Sequence, residues 1–214
     1  MPHQLKAIKT SRVPNRVNLI FLDNSYLPLF VDDVVKLSLQ KNQKIGKEKL
    51  SQIIQISSFY LGYEYALRQI AISPKTEKIL SQKLKIFFFK ASKKYKYFSD
   101  IDFDSTISDI VNKLTSKNLL NQSDFIKSFI SKNRHKSKKQ IKYFLSQKEV
   151  DTSNLDLKDI NDIESIKKVL ARKKISPEFL KDFKLKNKLY SSLFRKGFEL
   201  SDIKVAIDDY FDLQ

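Results

Sequence analysis

The chain has 214 residues, with 41 Lys and Arg against 24 Asp and Glu, a formal net charge of +17. It is too apolar for a disordered chain, at 41% hydrophobic and 12% aromatic, and its 3 Gly and 5 Pro supply too few turns for a many-stranded sandwich or barrel. The absence of Cys excludes disulfides, thiolate metal sites and a cysteine nucleophile, and no apolar run nears the roughly 18 residues that span a bilayer, so the expectation is a cytoplasmic protein without signal or anchor.

His3 falls in an N-terminal stretch expected to fray. In RVNLIFL, Val17, Leu19 and Phe21 share one face of a strand, Asp23-Asn24-Ser25 supplies a turn, and YLPLF resumes an extended run. This predicts a small N-terminal β-hairpin, with Pro28 marking an edge strand.

From Asp32, a candidate N-cap, onward the spacing is helical: Tyr60, Tyr63, Leu67 and Ile70, then Leu80, Leu84 and Phe87, then Ile107, Ile110, Val111 and Leu114. The pattern continues with Phe125, Ile126, Phe129 and Ile130, with Ile141, Phe144 and Leu145, with Ile163, Ile166, Val169 and Leu170, with Leu189 and Leu193, and with Ile203 and Ile207. Ser73-Pro74 and Ser176-Pro177 each place a capping hydroxyl before a first-turn Pro, and Ser201 is read as the cap of the last helix.

Three helix ends look alike, with Leu84 followed by Phe89, Leu145 by Val150 and Leu193 by Phe198. In the last, Gly197 suits the left-handed residue that closes a helix. The chain is therefore read as all-α, tandem three-helix repeats behind the hairpin: an N-terminal segment over 1–58, a first repeat over 59–120 with an insertion near 90–102, a second over 121–160 whose third helix is a short piece near 153–159, and a third over 161–214.

Catalytic chemistry finds little support. His135 lies in KNRHKSKK without an acidic neighbour, and glycines at 46, 62 and 197 build no phosphate loop. Asp32-Asp33, the Asp100, Asp102 and Asp104 of DIDFD, and Asp208-Asp209 read as caps and exposed faces, with a Mg²⁺ site as the alternative. The expectation is no enzyme, no metal and no cofactor.

The positive charge is clustered and implies a polyanion, against the alternative of solvated Lys-rich faces. Lys83, Lys85, Lys90, Lys93, Lys94 and Lys96 run beside Tyr95, Tyr97 and Phe98, a mixture suited to single-stranded nucleic acid. A second cluster holds Lys132, Arg134, Lys136, Lys138, Lys139 and Lys142, and a third holds Lys173, Lys174, Arg195 and Lys196. Phe87, Phe88 and Phe89 are assigned to the core, and IDDYFDL is acidic enough to dock on a basic patch.

Taken together, YEYALRQIAISPKTEKILSQKL, the join IVNKLTSKNLLNQSDFIKSFI and the final KLYSSLFRKGFELSDIKVAI resemble the RecX family over roughly residues 17–213. The chain departs from the family pattern at KIFFF, where Lys-Gly-Phe is usual, in the insertion near 90–102, and in the short third helix of the second repeat.

The resemblance implies a curved array of three-helix repeats that lies along a RecA-type recombinase filament on single-stranded DNA, acts as a monomer, and lowers ATP hydrolysis and strand exchange. The candidate contacts to filament or nucleic acid are Lys93, Lys94, Lys96, Arg134, Lys136, Lys138, Lys139, Lys142, Lys173, Lys174, Arg195 and Lys196. Alternatives from other classes are a stand-alone helical DNA- or RNA-binding protein and a nuclease built on the Asp-rich loop.

Overall fold

The computed structural model of the chain describes residues 3–99 and 101–212. It divides into two compact units, Met1–Asn121 and Gln122–Gln214.

In the first unit, β2 (Arg16–Phe21) and β3 (Tyr26–Phe30) form the expected hairpin. Val17, Leu19 and Phe21 alternate into the core, and Asn24 takes the left-handed conformation (φ 62°) in the turn. Pro28 lies on an outer strand as expected, because with β1 (His3–Thr10) and β4 (Lys44–Ile45) the sheet is four-stranded in the order β3-β2-β1-β4, antiparallel throughout.

The hairpin expectation was therefore incomplete. His3 does not lie in a frayed end: it opens β1 (His3–Thr10) and pairs with Ile45 of β4 (Lys44–Ile45). A bulge between Leu5 and Ala7 breaks the alternation that identifies a strand, leaving Leu5 as the fully buried residue of β1.

Helix α1 (Val31–Lys36) begins one residue before Asp32, which sits in the first turn with Asp33 near the positive end of the helix dipole rather than at the cap. Helix α2 (Lys47–Ile72) is continuous and, at about 39 Å, long enough to serve two cores. Leu50 and Ile53 pack with the sheet residues, whereas Ala66 packs with Leu80, Leu84 and Phe88 of α3 (Glu77–Lys94) and Ile107, Ile110 and Leu114 of α4 (Asp104–Ser116). The Ser57 hydroxyl donates to the Pro28 carbonyl at 2.7 Å, and Glu64 pairs with Arg16, fixing α2 to the sheet.

Two expectations about α3 are corrected. Its cap is Thr76, whose hydroxyl accepts from the Ile79 N–H at 3.3 Å, whereas Ser73 ends α2. Nor does the helix stop between Leu84 and Phe89; it runs to Lys94 and is followed by a 3-10 turn at Lys96–Phe98, so much of the expected insertion is helix.

The second unit contains α5 (Gln122–Lys132), α6 (Lys138–Ser146), α7 (Asp162–Lys173), α8 (Pro177–Lys181), α9 (Phe183–Arg195) and α10 (Leu200–Asp212). Ile166, Leu170, Leu189, Leu193, Phe198, Ile203 and Ile207 form its core. The short third helix expected near 153–159 is absent: the Asp151 carboxylate accepts from the Ser153 N–H and the Asp156 carboxylate from the Lys158 N–H, both at 2.9 Å, so aspartates fold the segment into turns. Ser176 holds the cap position of α8 without a side-chain bond to the helix N–H groups, Asp182 caps α9 through the Lys184 and Leu185 N–H groups, and Ser201 lies inside the first turn of α10.

Leu145–Val150 and Leu193–Phe198 do end helices alike. In each, the apolar residue's N–H reaches back to the leucine carbonyl, at 3.2 and 3.4 Å, past a left-handed Glu149 (φ 60°) or Gly197 (φ 81°). The same closure joins Leu119 to Leu114 past Asn118 and Ile175 to Leu170 past Lys174. Among the described residues no helix is long and apolar enough to cross a membrane.

Candidate nucleic-acid interface

The basic run between α5 and α6 is held by its least charged atoms. The Ser165 hydroxyl donates to the Arg134 carbonyl at 3.0 Å, the Asp162 carboxylate accepts from the Lys138 N–H at 3.1 Å, and the Ser137 hydroxyl donates to the Lys196 carbonyl at 2.7 Å while accepting from the Gln140 N–H. Ser137 is fully buried, whereas Arg134, Lys138, Lys139 and Lys142 are exposed. A hydrogen-bonded backbone thus presents exposed cations to solvent, which suits an electrostatic surface.

The bond from Ser137 brings the second basic cluster against part of the third. Lys139, Tyr143 and Phe144 of α6 face Phe194, Arg195, Lys196 and Phe198 around a hollow of about 350 Å³. Lys136 places its ammonium 4.5 Å from the Phe144 ring centre, a cation–π contact. A neighbouring hollow of about 580 Å³ adds Lys138 and Lys142. Its acids include Asp162, where burial pushes the carboxyl up from its ordinary value despite the bond from the Lys138 N–H.

The remaining predicted contacts are dispersed. Arg134 lines a third hollow with α5 residues Ile126 and Ile130, and Lys173 and Lys174 close α7, exposed, with Lys174 at φ 51°.

In the first unit Lys93 lies 4.4 Å above the exposed Phe89 ring, and Lys94 lies 5.2 Å from Tyr95, an electrostatic contact that raises the Lys94 pKa above the usual lysine value. Lys96 is committed to Asp23 at 2.6 Å, a pair that tethers the 3-10 turn to the hairpin. The Lys96 ammonium, helped by Ser25, holds the Asp23 carboxyl down at about 2.

The expected stacking surface beside this cluster is corrected. Tyr95 and Phe98 are buried in the sheet core, and Tyr97 packs against Phe21 with ring centres 4.6 Å apart. Phe88 is core as expected, Phe87 is half-buried and stacks on Tyr65, and Phe89 is 63% exposed.

Sequence reasoning missed Tyr143 and Phe194 as surface aromatics. A signal was present: each lies beside a residue assigned to a buried face, so helical periodicity turns it outward.

The acidic stretches serve as turns and ion pairs. Asp102 accepts from the Asp104 N–H, Asp104 pairs with Lys85 at 3.0 Å, and Asp209 pairs with Lys167 at 3.0 Å, while Asp100 lies outside the described residues. Among the described residues there is no group of three or more His, Asp or Glu placed to hold a metal ion.

Comparison with known proteins settles the family. A regulatory protein RecX of Clostridium beijerinckii is 33% identical over 196 residues, covering 87% of this chain and 85% of its own. The chain belongs to the RecX family.

A regulatory protein RecX of Streptococcus pneumoniae is 27% identical over 202 residues, spanning 91% of this chain and 73% of its own. The family model for the third three-helix domain of RecX matches residues 161–207. A crystal structure of regulatory protein RecX shares the fold, with a TM-score of 0.60 at 19% identity over 96% of this chain and 99% of its own. RecX from Lactobacillus salivarius has a TM-score of 0.51 at 26% identity over 73% and 98%. The Lys-Gly-Phe expected of RecX stands at Lys196, Gly197 and Phe198, where it closes α9 and supplies the Ser137 contact.

Proposed function

We propose that this RecX protein is a non-catalytic, cytoplasmic regulator of homologous recombination and DNA repair, which binds a RecA-type filament on single-stranded DNA and lowers its ATPase and strand-exchange activity. The convergence of Lys139, Arg195 and Lys196 on one hollow carries the reading, because it gathers three cations against the one carboxylate of the lining, Glu199, into a net positive patch suited to an anion. Family membership and the relatives' name, regulatory protein RecX, support a regulatory role, and the RecA-type partner is what the family resemblance implies. The repeat boundaries at 121 and 161 and action as a monomer belong to the same proposal.

Co-sedimentation with preformed recombinase filaments tests the reading. The protein is expected to pellet with filaments at moderate salt and to lose that association when Lys139, Arg195 and Lys196 are all replaced by Ala. Equal pelleting of the variant removes the basic surface from the account. Failure of the native protein to pellet, with tight salt-dependent binding to DNA alone, favours the stand-alone nucleic-acid binder.

A further inference from the structure

Filament regulation leaves Tyr143 and Phe194 without a role. Among the described residues the exposed aromatics are Phe89, Tyr143, Phe183 and Phe194, and two of these four line the same hollow. Tyr143 is 59% and Phe194 55% exposed, although their neighbours Ile141, Leu145 and Leu193 are buried. Phe198 is buried beneath the same surface, and Lys139, Arg195 and Lys196 add three cations to the lining against a single carboxylate, Glu199.

Flat apolar rings beside cations match the two halves of a nucleotide in a single strand: the base offers a face for stacking, and the phosphate on either side offers a charge. A duplex hides its base faces in the helical stack, so it would use the cations and leave the rings idle. We infer that this hollow is a stacking site for an unpaired nucleobase of single-stranded DNA, with Tyr143 and Phe194 as the ring contacts and Lys139, Arg195 and Lys196 on the adjacent phosphates. The inference rests on the reading that the protein works on single-stranded DNA, and it adds a direct base contact that needs no recombinase.

The test uses the full chain, a fluorescent oligothymidylate and an abasic oligomer of the same length and charge. The native protein should bind the oligothymidylate more tightly. Tyr143→Ala with Phe194→Ala should weaken that binding by roughly tenfold or more, leave abasic binding and its salt slope unchanged, and leave the thermal unfolding curve in place.

Because the chain contains no Trp, Phe194→Trp provides an isolated reporter, whose fluorescence should be quenched when the oligothymidylate is added. Equal native affinity for the two oligomers, unchanged affinity of the double variant, or an unquenched Trp overturns the inference. Displacement of both oligomers alike by an acidic, aromatic-rich peptide assigns the hollow to a protein partner and also overturns it. Recombinase ATPase measured on the same proteins separates the two claims, since a native protein without effect on the ATPase refutes filament regulation and leaves the oligomer comparison intact.

Discussion

The Ser137 hydroxyl donates to the Lys196 carbonyl at 2.7 Å, and Gly197 packs so closely above it that a Cβ at that position would lie 2.8 Å from the Ser137 oxygen. Residues distant in sequence thereby become one surface, with the first turn of α6 locked to the turn between α9 and α10. Ser137→Ala removes a helix cap and orphans the Lys196 carbonyl, and should cost about 1–2 kcal/mol in urea unfolding. Gly197→Ala adds strain at φ 81° to the steric conflict and should cost about 1–3 kcal/mol. The double variant should cost less than the sum of the two, because deleting the hydroxyl relieves the clash.

Gly62 sits inside α2, where glycine costs roughly 1 kcal/mol relative to alanine. It persists because a Cβ there would lie 2.6 Å from both Ile110 Cδ1 and Phe88 Cζ, side chains that are themselves buried. Gly62→Ala should therefore lower thermal stability by about 1 kcal/mol net, with overpacking outweighing the gain in helix propensity. A rise in melting temperature would show that this core yields.

The Asp23–Lys96 pair predicts a pH effect in the first unit. The carboxyl falls from an ordinary 3.8 to about 2 in the folded chain, so its stabilisation is complete above pH 3.8 and is lost as pH drops toward about 2. Asp23→Asn should flatten the acid limb of the stability profile in that window. Lys96→Ala should lower DNA affinity less than Lys139→Ala, because Lys96 is already neutralised within the fold whereas Lys139 is exposed on the proposed surface.

Charge reversal on α6 is the corresponding test of the second unit. Lys138→Glu with Lys139→Glu should weaken filament and DNA binding more at low salt than at high salt, since phosphate contacts act through counterion release and screening. Both side chains are exposed and the capping bonds are made by the Lys138 N–H and the Ser137 hydroxyl, so circular dichroism should report an unchanged fold.

The sequence showed the helical class, the β2–β3 hairpin and most helix faces, because burial of Val17, Leu19 and Phe21 or of Ile107, Ile110 and Leu114 imposes a period that can be read directly. Local exceptions hid the rest. The bulge after Leu5 erased the period of β1, and Ser73 drew the cap away from Thr76.

Helix ends were hard to locate because Ser38, Asn118, Glu149 and Lys174 take left-handed conformations that a reader assigns to glycine. KIFFF carried the right spacing for an end but lacked the left-handed residue to make one, so α3 continued. The basic clusters were legible as charge alone. That Lys139 meets Lys196, while Lys96 turns to Asp23, depends on tertiary bonds that periodicity does not encode.

The most direct measurement is the single-stranded-DNA-dependent ATPase rate of the recombinase from the same source, titrated with this protein at moderate salt. Filament regulation predicts a fall at substoichiometric protein, relieved by Lys138→Glu with Lys139→Glu. An unchanged ATPase rate at saturating protein, together with tight binding to DNA alone, contradicts it.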